Sequence, residues 1–203
     1  MNTLLLVQTS LFGAQGASSQ LAERFVADWR KRHPGGRVIV RDLAEDPAPH
    51  LTAERFQAFS TALENRTPEQ QAAVEYSDAL IDELRSADTV VFAVPMYNFS
   101  VPSTLRSYFD HVARAGVTFR YTSAGPEGLL KGRRTYVFVA RGGVYPEGVD
   151  TQTPYLRQFL GFIGLAPEFV YAEGLALGAE SRQKSLVEAT ERVADLATLE
   201  LAA

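Results

Sequence analysis

The sequence predicts an α/β fold in which a five-stranded parallel sheet carries helices on both faces. Two observations lead to this fold class. Short apolar runs typical of strands recur along the chain, and longer stretches whose apolar residues have helical spacing lie between them. Strands that alternate with helices in this way form parallel sheets. The chain has 203 residues, against roughly 150 for a typical domain, so we expect a single domain over residues 1–203. Two excursions from the minimal pattern, 44–66 and 116–133, account for the extra length.

Five apolar runs predict the strands of the sheet. Their near-continuous apolar character, instead of alternation with polar residues, is typical of strands that are buried on both faces. The third run is rich in β-branched residues and ends at Pro95. In chain order the predicted strands are Thr3–Gln8, Arg37–Leu43, Asp88–Pro95, Arg134–Ala140 and Glu168–Glu173.

Amphipathic segments between these runs predict the helices. Ser18 or Ser19 can cap the first helix, and Pro34 stops it. Thr67 can cap the third predicted helix, with a proline next in sequence at the first helical position. The predicted helices are 18–33, 52–63, 67–87, 102–115, 153–164 and 180–197. The last is rich in charges and is predicted to be a solvated outer face, while 116–133 is predicted to hold little regular structure.

Composition excludes several function classes. The chain contains no cysteine, which excludes disulfides, thiol catalysis and iron–sulfur clusters. The net charge of −4 argues against a nucleic-acid partner. No basic segment precedes the short apolar run Leu4–Val7, and no run is long enough to span a bilayer, so we expect a cytoplasmic protein with no membrane partner. The three histidines do not have metal-site spacing, and we predict no metal.

Three loops follow the carboxyl ends of predicted strands, where ligands bind in open parallel sheets. The loop Thr9–Ser19 is rich in hydroxyls and small residues, which lets backbone amides approach an anion at a helix start. The loop Pro95–Pro102 holds aromatic side chains beside an asparagine, and Ala140–Tyr145 holds paired glycines. Each loop alone also fits an ordinary cap, a packing contact or a glycine turn. Together they predict one site with a phosphate end, an aromatic wall and backbone donors.

With these loops, the sequence resembles the FMN-dependent NADH-azoreductases, within the flavodoxin-like quinone reductases. The resemblance covers nearly the whole chain. Its most specific blocks are Pro-Met-Tyr-Asn-Phe at 95–99 and Ala-Gly-Val-Thr-Phe-Arg-Tyr at 115–121. The other matching motifs are Val40–Leu43, Val112–Arg114, Gly125–Gly128, Arg141–Gly143, Tyr155-Leu156 and Phe159–Gly164.

The resemblance implies a flavodoxin-like doubly wound sheet and a homodimer with one non-covalent FMN per subunit. By position, Ser10 with Gly16, Ala17 and Ser18 would hold the FMN phosphate. The isoalloxazine ring would be lined by Met96, Tyr97, Asn98 and Phe99, and its pyrimidine edge by Ala140, Arg141, Gly142 and Gly143. The chain departs from the family at Gly16 and Ala17, where members often carry hydroxyl or amide side chains, so backbone N–H groups would contact the phosphate there.

The implied reaction transfers two electrons from NADH or NADPH to quinones and azo compounds by a ping-pong mechanism. We predict no catalytic side chain, because the flavin carries the chemistry. The acceptor would bind against an aromatic wall of Phe119, Tyr121 and Phe162, which we call the acceptor wall, partly supplied by the second subunit at the dimer interface. Phe162 also fits a core position.

Two further functions remain open on the sequence alone. The chain could be a flavodoxin-like FMN electron carrier or binding module without its own turnover, or a regulator that binds a nucleotide other than flavin. The choice between NADH and NADPH is open too, since Arg55, Arg120 or Arg141 could receive the 2′-phosphate of NADPH.

Overall fold

Seven strands and six helices follow one another in the residues that the computed structural model describes, 2–199. Met1 and residues 200–203, which the single-domain prediction included, lie outside this part. The strands are β1 (Thr3–Gln8), β2 (Arg37–Asp42), β3 (Thr89–Pro95), β4 (Phe119–Thr122), β5 (Gly125–Gly128), β6 (Arg134–Ala140) and β7 (Ala166–Ala172). The helices are α1 (Ala17–Arg32), α2 (Ala53–Ala58), α3 (Pro68–Ser86), α4 (Ser103–Val112), α5 (Gln152–Phe162) and α6 (Ala179–Leu199).

The central sheet has five parallel strands in the order β2-β1-β3-β6-β7, which confirms the predicted fold class. β1 pairs with β2 on one side and with β3 on the other, so the chain reverses its direction of winding between β1 and β3. In such sheets the crevice for a ligand opens at this reversal, beyond the carboxyl ends of the strands. The loops after β1, β3 and β6 all reach this edge.

Alternate residues of β1 face opposite layers of helices. Leu4 and Leu6 pack with α1 and α6, whereas Leu5 and Val7 pack with α3, α4 and α5. All four are buried, at 3% exposure or less, and burial of such a side chain stabilises the fold by about 1.5–3 kcal/mol. This two-sided burial explains why the strand sequences are continuously apolar.

Aromatic packing fixes α1 across the sheet. Phe25 of α1 lies against Tyr136 and Phe138 of β6, with ring centroids 5.0 and 5.6 Å apart. Trp29, one turn further along, is 1% exposed. α1 is therefore held rigidly, and its amino terminus is directed at the carboxyl edge.

The second excursion is more regular than predicted. Residues 116–133 contain the antiparallel hairpin β4–β5, in which Gly125 has a φ of +113°, and the expectation of little regular structure was wrong. The base of the hairpin packs against the carboxyl end of α5. A Cβ on Gly128 would lie 2.0 Å from the backbone nitrogen of Gly164, so only glycine permits this approach. The hairpin is a short, two-stranded ribbon whose four-residue strands do not alternate between buried and exposed positions.

The helix α6 is only partly the solvated face that its charges predicted. Its side chains Ala189, Val193, Leu196 and Ala197 are buried against the core. These small and medium apolar residues recur every three or four positions, which is the spacing of one helix face.

Among residues 2–199, neither this helix nor any other is long and apolar enough to cross a membrane.

Candidate functional site

A cavity of about 360 Å³ lies at the carboxyl edge of the sheet, within the range of roughly 300–1,000 Å³ that is usual for ligand sites. Its walls come from the three loops that the sequence singled out, together with the loop after β7 and the first turn of α6. The lining residues are Ser10, Phe12, Gln15, Gly16, Ala17, Pro95, Met96, Tyr97, Ala140, Arg141, Gly142, Leu175 and Arg182.

The amino terminus of α1 forms one end of this cavity. Gly16 is its N-cap residue, no side chain within residues 2–199 caps the helix, and its first turn holds no acidic residue. The N–H groups of the first helical residues have no acceptor inside a helix, and the helix dipole adds a partial positive charge there. The hydroxyl of Ser18 is buried, and among the described residues it has no hydrogen-bond partner. This end of the cavity is suited to an anion.

Gly16 lies so close to Ser10 that a side chain at position 16 would force Ser10 to move. A Cβ on Gly16 would lie 2.1 Å from Ser10 Oγ and 2.8 Å from Ser10 Cβ. The Ser10 hydroxyl accepts a hydrogen bond from the Phe12 N–H (3.2 Å), and the Gly13 N–H donates to the Ser10 carbonyl (3.1 Å). This packing accounts for the glycine, since the space for a side chain at position 16 is already taken by Ser10.

The aromatic loop after β3 is held in a tight turn. Asn98 and Phe99 have positive φ angles of 50° and 63°, and Tyr97 and Ser100 exchange backbone hydrogen bonds of 3.0 Å, as in a type I′ turn. Phenylalanine is costly in this conformation, by about 1–3 kcal/mol. Its carbonyl accepts a hydrogen bond from Thr151 Oγ1. Strain of this kind is typical of functional loops and is retained only where neighbours fix the conformation.

The side chain of Arg141 is committed to a buried network. It is 2% exposed overall, and its guanidinium pairs with Asp150 at 2.8 Å and Glu173 at 3.0 Å. Burial disfavours the Asp150 carboxylate, but hydrogen bonds from Thr153 and from Arg141 outweigh this and lower the pKa of Asp150. The guanidinium is thus neutralised by two carboxylates, and a 2′-phosphate at Arg141 would have to displace one of them.

Gln152 joins the loops after β3 and β6, and sequence reasoning missed it. Its carbonyl oxygen accepts from Arg141 Nε (3.2 Å), while its amide nitrogen donates to the Pro95 carbonyl at 3.0 Å. Gln152 is fully buried in the first turn of α5. An amide in a helix start carries no sequence signal for such a role. Arg182 and Leu175 were missed for a similar reason, because they follow the weakest predicted strand.

Eight of the twelve predicted cofactor residues line the cavity, and four do not. Ser18 lies buried beside it at the start of α1. Asn98 lines an adjoining depression that shares Met96 and Tyr97 with the cavity. Phe99 is 65% exposed, with its ring edge-on to Tyr145. Gly143 follows Gly142, and its carbonyl accepts from the Gly174 N–H.

The acceptor wall forms a cluster of its own, away from the cavity. Phe119 lies 4.2 Å from Phe162 and 5.6 Å from Tyr121 between ring centroids. Phe119 is buried and Phe162 half-buried, whereas Tyr121 is 74% exposed. None of the three lines the cavity of its own chain. On the hairpin, Tyr121 is therefore the exposed aromatic side chain, and Phe119 is buried beneath it.

The histidines have structural contacts. His33 Nδ1 lies 3.0 Å from the Trp29 carbonyl at the end of α1, and His50 Nδ1 lies 3.2 Å from the Ser107 hydroxyl. His111 is buried beside the Pro49 carbonyl, and burial lowers its pKa. Within residues 2–199, no three histidine, aspartate or glutamate side chains lie together as metal ligands would.

Comparison with known proteins places the chain in a family. The family described as flavodoxin-like fold matches residues 1–197. An FMN-dependent NADH:quinone oxidoreductase of Cellvibrio japonicus is 53% identical over 90% of this chain and 92% of its own length. A protein of the same name from Alcanivorax borkumensis is 50% identical over 92% of this chain and 95% of its own length.

Solved structures agree with the sequence comparison. The azoreductase from Bacillus anthracis strain Sterne has a TM-score of 0.89 at 31% identity and covers 97% of this chain and 99% of its own. An FMN-dependent NADH-azoreductase from Bacillus anthracis strain Ames Ancestor, solved in complex with FMN, has a TM-score of 0.85 at 27% identity over 97% of this chain and 100% of its own. The chain therefore belongs to the flavodoxin-like fold family and, within it, to the FMN-dependent NADH:quinone oxidoreductases.

Proposed function

We propose that the protein is an FMN-dependent oxidoreductase that passes two electrons from NADH to quinones and azo compounds. The observation that carries the proposal is the cavity at the carboxyl edge of the sheet, with an uncapped helix start at one end and Met96 and Tyr97 among its walls. Relatives that share half of their residues with this chain are named for this activity.

The described residues fit FMN. A phosphate at the α1 end would receive the N–H groups of Ala17, Ser18 and the next residue, and the buried Ser18 hydroxyl would gain the partner that it lacks. No carboxylate lines the cavity to repel it. When bound, FMN accepts a hydride from the nicotinamide and passes two electrons to the acceptor.

The remaining loops would orient the ring. Met96 and Tyr97 line the cavity as an apolar face, and the Tyr97 hydroxyl is itself held by the Leu11 N–H at 3.1 Å. We assign the N–H groups of Gly142 and Gly143 to the pyrimidine edge, where negative charge develops on reduction and donors stabilise it. The buried Arg141 and Gln152 keep these two loops at a fixed separation.

We further propose a homodimer in which the acceptor wall of one subunit covers the cavity of the other. Tyr121 is exposed on the hairpin, and Leu11, Phe12 and Phe99 are each at least 65% exposed around the cavity. Large apolar side chains gathered in this way are typical of surfaces that are buried by association. This arrangement gives the hairpin a function and closes the open side of the cavity.

NADH is the proposed donor. Three arginines were considered for a 2′-phosphate. Arg55 lines a separate pocket beside the start of α3 and does not line the cavity. Arg141 is neutralised by two carboxylates, and Arg120 pairs with Glu127 at 2.8 Å. A 2′-phosphate would have to displace one of these partners, so we expect NADPH to be the poorer donor.

The test uses the purified protein alone with FMN, NADH and menadione. We expect a yellow protein that oxidises NADH in steady state, with parallel double-reciprocal lines as the quinone is varied. A protein that binds FMN but needs a separate reductase for turnover would be an electron carrier instead. A protein that binds no flavin would overturn the proposal.

A further inference from the structure

Among residues 2–199, one cation that lines the cavity has no carboxylate partner, and it comes from a different part of the chain. Arg182 lies in the first turn of α6 and lines the same cavity as Ser10, Gln15 and Gly16. Its side chain is exposed, and no carboxylate of residues 2–199 forms an ion pair with it. The other lining cation, Arg141, already has two carboxylate partners.

The fold explains why α6 delivers a side chain to this place. α1 and α6 pack side by side on one face of the sheet, and at their carboxyl ends Arg32 Nη2 donates to Thr198 Oγ1 at 2.9 Å. Both helices follow strands of the parallel sheet and so begin at its carboxyl edge. Their amino termini are therefore neighbours, with Arg182 beside the uncapped start of α1.

We propose that Arg182 is a cofactor-binding residue whose guanidinium contacts the phosphate of FMN. The inference rests on the proposed function and adds a residue to its site. Ser10 and Ser18 offer hydroxyls at the anion end of the cavity, but Gly16 and Ala17 between them carry no hydroxyl or amide. A guanidinium supplies planar donors and a full positive charge, which suit a phosphate. Arg182 thus supplies from α6 the interactions that positions 16 and 17 lack.

The test compares two flavins that differ only in the phosphate. FMN and riboflavin are titrated into the apoprotein of wild type, R182Q and R182E, and the quenching of flavin fluorescence gives each Kd. The matched control is K184Q, since Lys184 is an exposed cation two residues further along the same helix. Each FMN titration is repeated at low and high NaCl.

We expect R182Q to weaken FMN about tenfold, as for loss of a hydrogen bond to a charged group, and R182E to weaken it further. Riboflavin binding and K184Q should match wild type within about twofold, and the salt dependence of FMN binding should flatten in R182Q as one ionic contact is lost. R182K should recover part of the affinity, because the charge remains without the fork of donors.

Two results overturn the assignment of Arg182 while leaving the proposed function intact. One is unchanged FMN affinity in both R182Q and R182E. The other is an equal loss for FMN and riboflavin, which would mean that Arg182 supports the fold of the cavity without touching the phosphate. Wild-type protein that binds no flavin at all overturns the proposed function and this inference together.

Discussion

The amino termini of α1 and α3 differ in how their free N–H groups find acceptors. α3 is closed by its own side chains: Thr67 Oγ1 accepts from the Gln70 N–H, and Gln70 Oε1 accepts in return from the Thr67 N–H. Pro68 and Glu69 complete a first turn that suits a helix start. Among the described residues α1 has neither a capping side chain nor an acidic first turn, and its Ser18 hydroxyl is buried without a partner.

The difference separates a structural helix start from a binding one. Unpaired N–H groups and a buried unpaired hydroxyl cost stability, by about 1–3 kcal/mol for a buried group, so a chain retains them where a ligand completes them. The start of α3 is satisfied by its own side chains and lies beside α2 of the first excursion. Substitutions at the start of α1 should therefore affect FMN binding, whereas substitutions at the start of α3 should affect stability.

The largest effect is expected from Gly16→Val. Its side chain would collide with Ser10, whose Oγ would lie 2.1 Å from the new Cβ, and the N–H groups of the α1 start would move away from the phosphate. We expect FMN affinity to fall by about 100-fold or more, with a loss of roughly 1–3 kcal/mol in unfolding free energy from overpacking. Flavin titration and urea unfolding measure the two. Gly161→Ala is the control, because a Cβ there meets nothing within 4 Å, and it should bind FMN as wild type does.

Ser18→Ala tests the buried hydroxyl. We expect about tenfold weaker FMN binding, because the phosphate loses a hydrogen bond to a charged group. The apoprotein should be as stable as wild type or slightly more stable, since the hydroxyl has no partner to lose among the described residues. An apoprotein destabilised by more than about 1 kcal/mol in urea would show that the hydroxyl has a structural partner instead.

Thr67→Ala should give the reverse result. Removal of this cap costs about 1 kcal/mol of unfolding free energy, and FMN affinity should stay within about twofold of wild type. Thr67→Ser, which keeps the hydroxyl, should recover most of the stability. If T67A weakened FMN binding as strongly as S18A, the distinction between the two helix starts would fail.

The smallest expected effect is on how the stability of the protein depends on pH. Hydrogen bonds from its own backbone N–H and from Thr67 lower the pKa of Glu69 below its ordinary value of 4.5. A carboxylate with a lowered folded pKa contributes stability above its unfolded pKa and loses it as pH falls through the folded pKa. The stability difference between wild type and E69Q should therefore be present near neutral pH and shrink below about pH 4.5. A difference that stayed constant down to about pH 3 would rule out this role for the charge.

The sequence predicted the central strands β1, β3 and β6 because they are buried on both faces and so read as continuous apolar runs. The edge strand β2 has no fully buried residue, although its sequence predicted burial as well. It also placed Ser10, Tyr97 and Gly142 in loops that meet at one edge, since parallel strands bring their carboxyl ends together. It could not place Gln152 or Arg182, because their roles depend on which helices lie next to each other. The hairpin β4–β5 was missed because its few residues, rich in glycine and turn formers, carry no strand periodicity.

The most direct test of phosphate binding at the start of α1 follows the backbone amides of both helix starts by 15N–1H NMR while FMN or riboflavin is added. We expect FMN to shift the Ala17, Ser18 and Ser19 amides strongly downfield, riboflavin to shift them far less, and the Glu69 and Gln70 amides to stay unmoved. If FMN bound without shifting the α1 amides, or if riboflavin shifted them equally, the phosphate would not lie at the start of α1. The assignment of that helix start as the phosphate site would then be wrong.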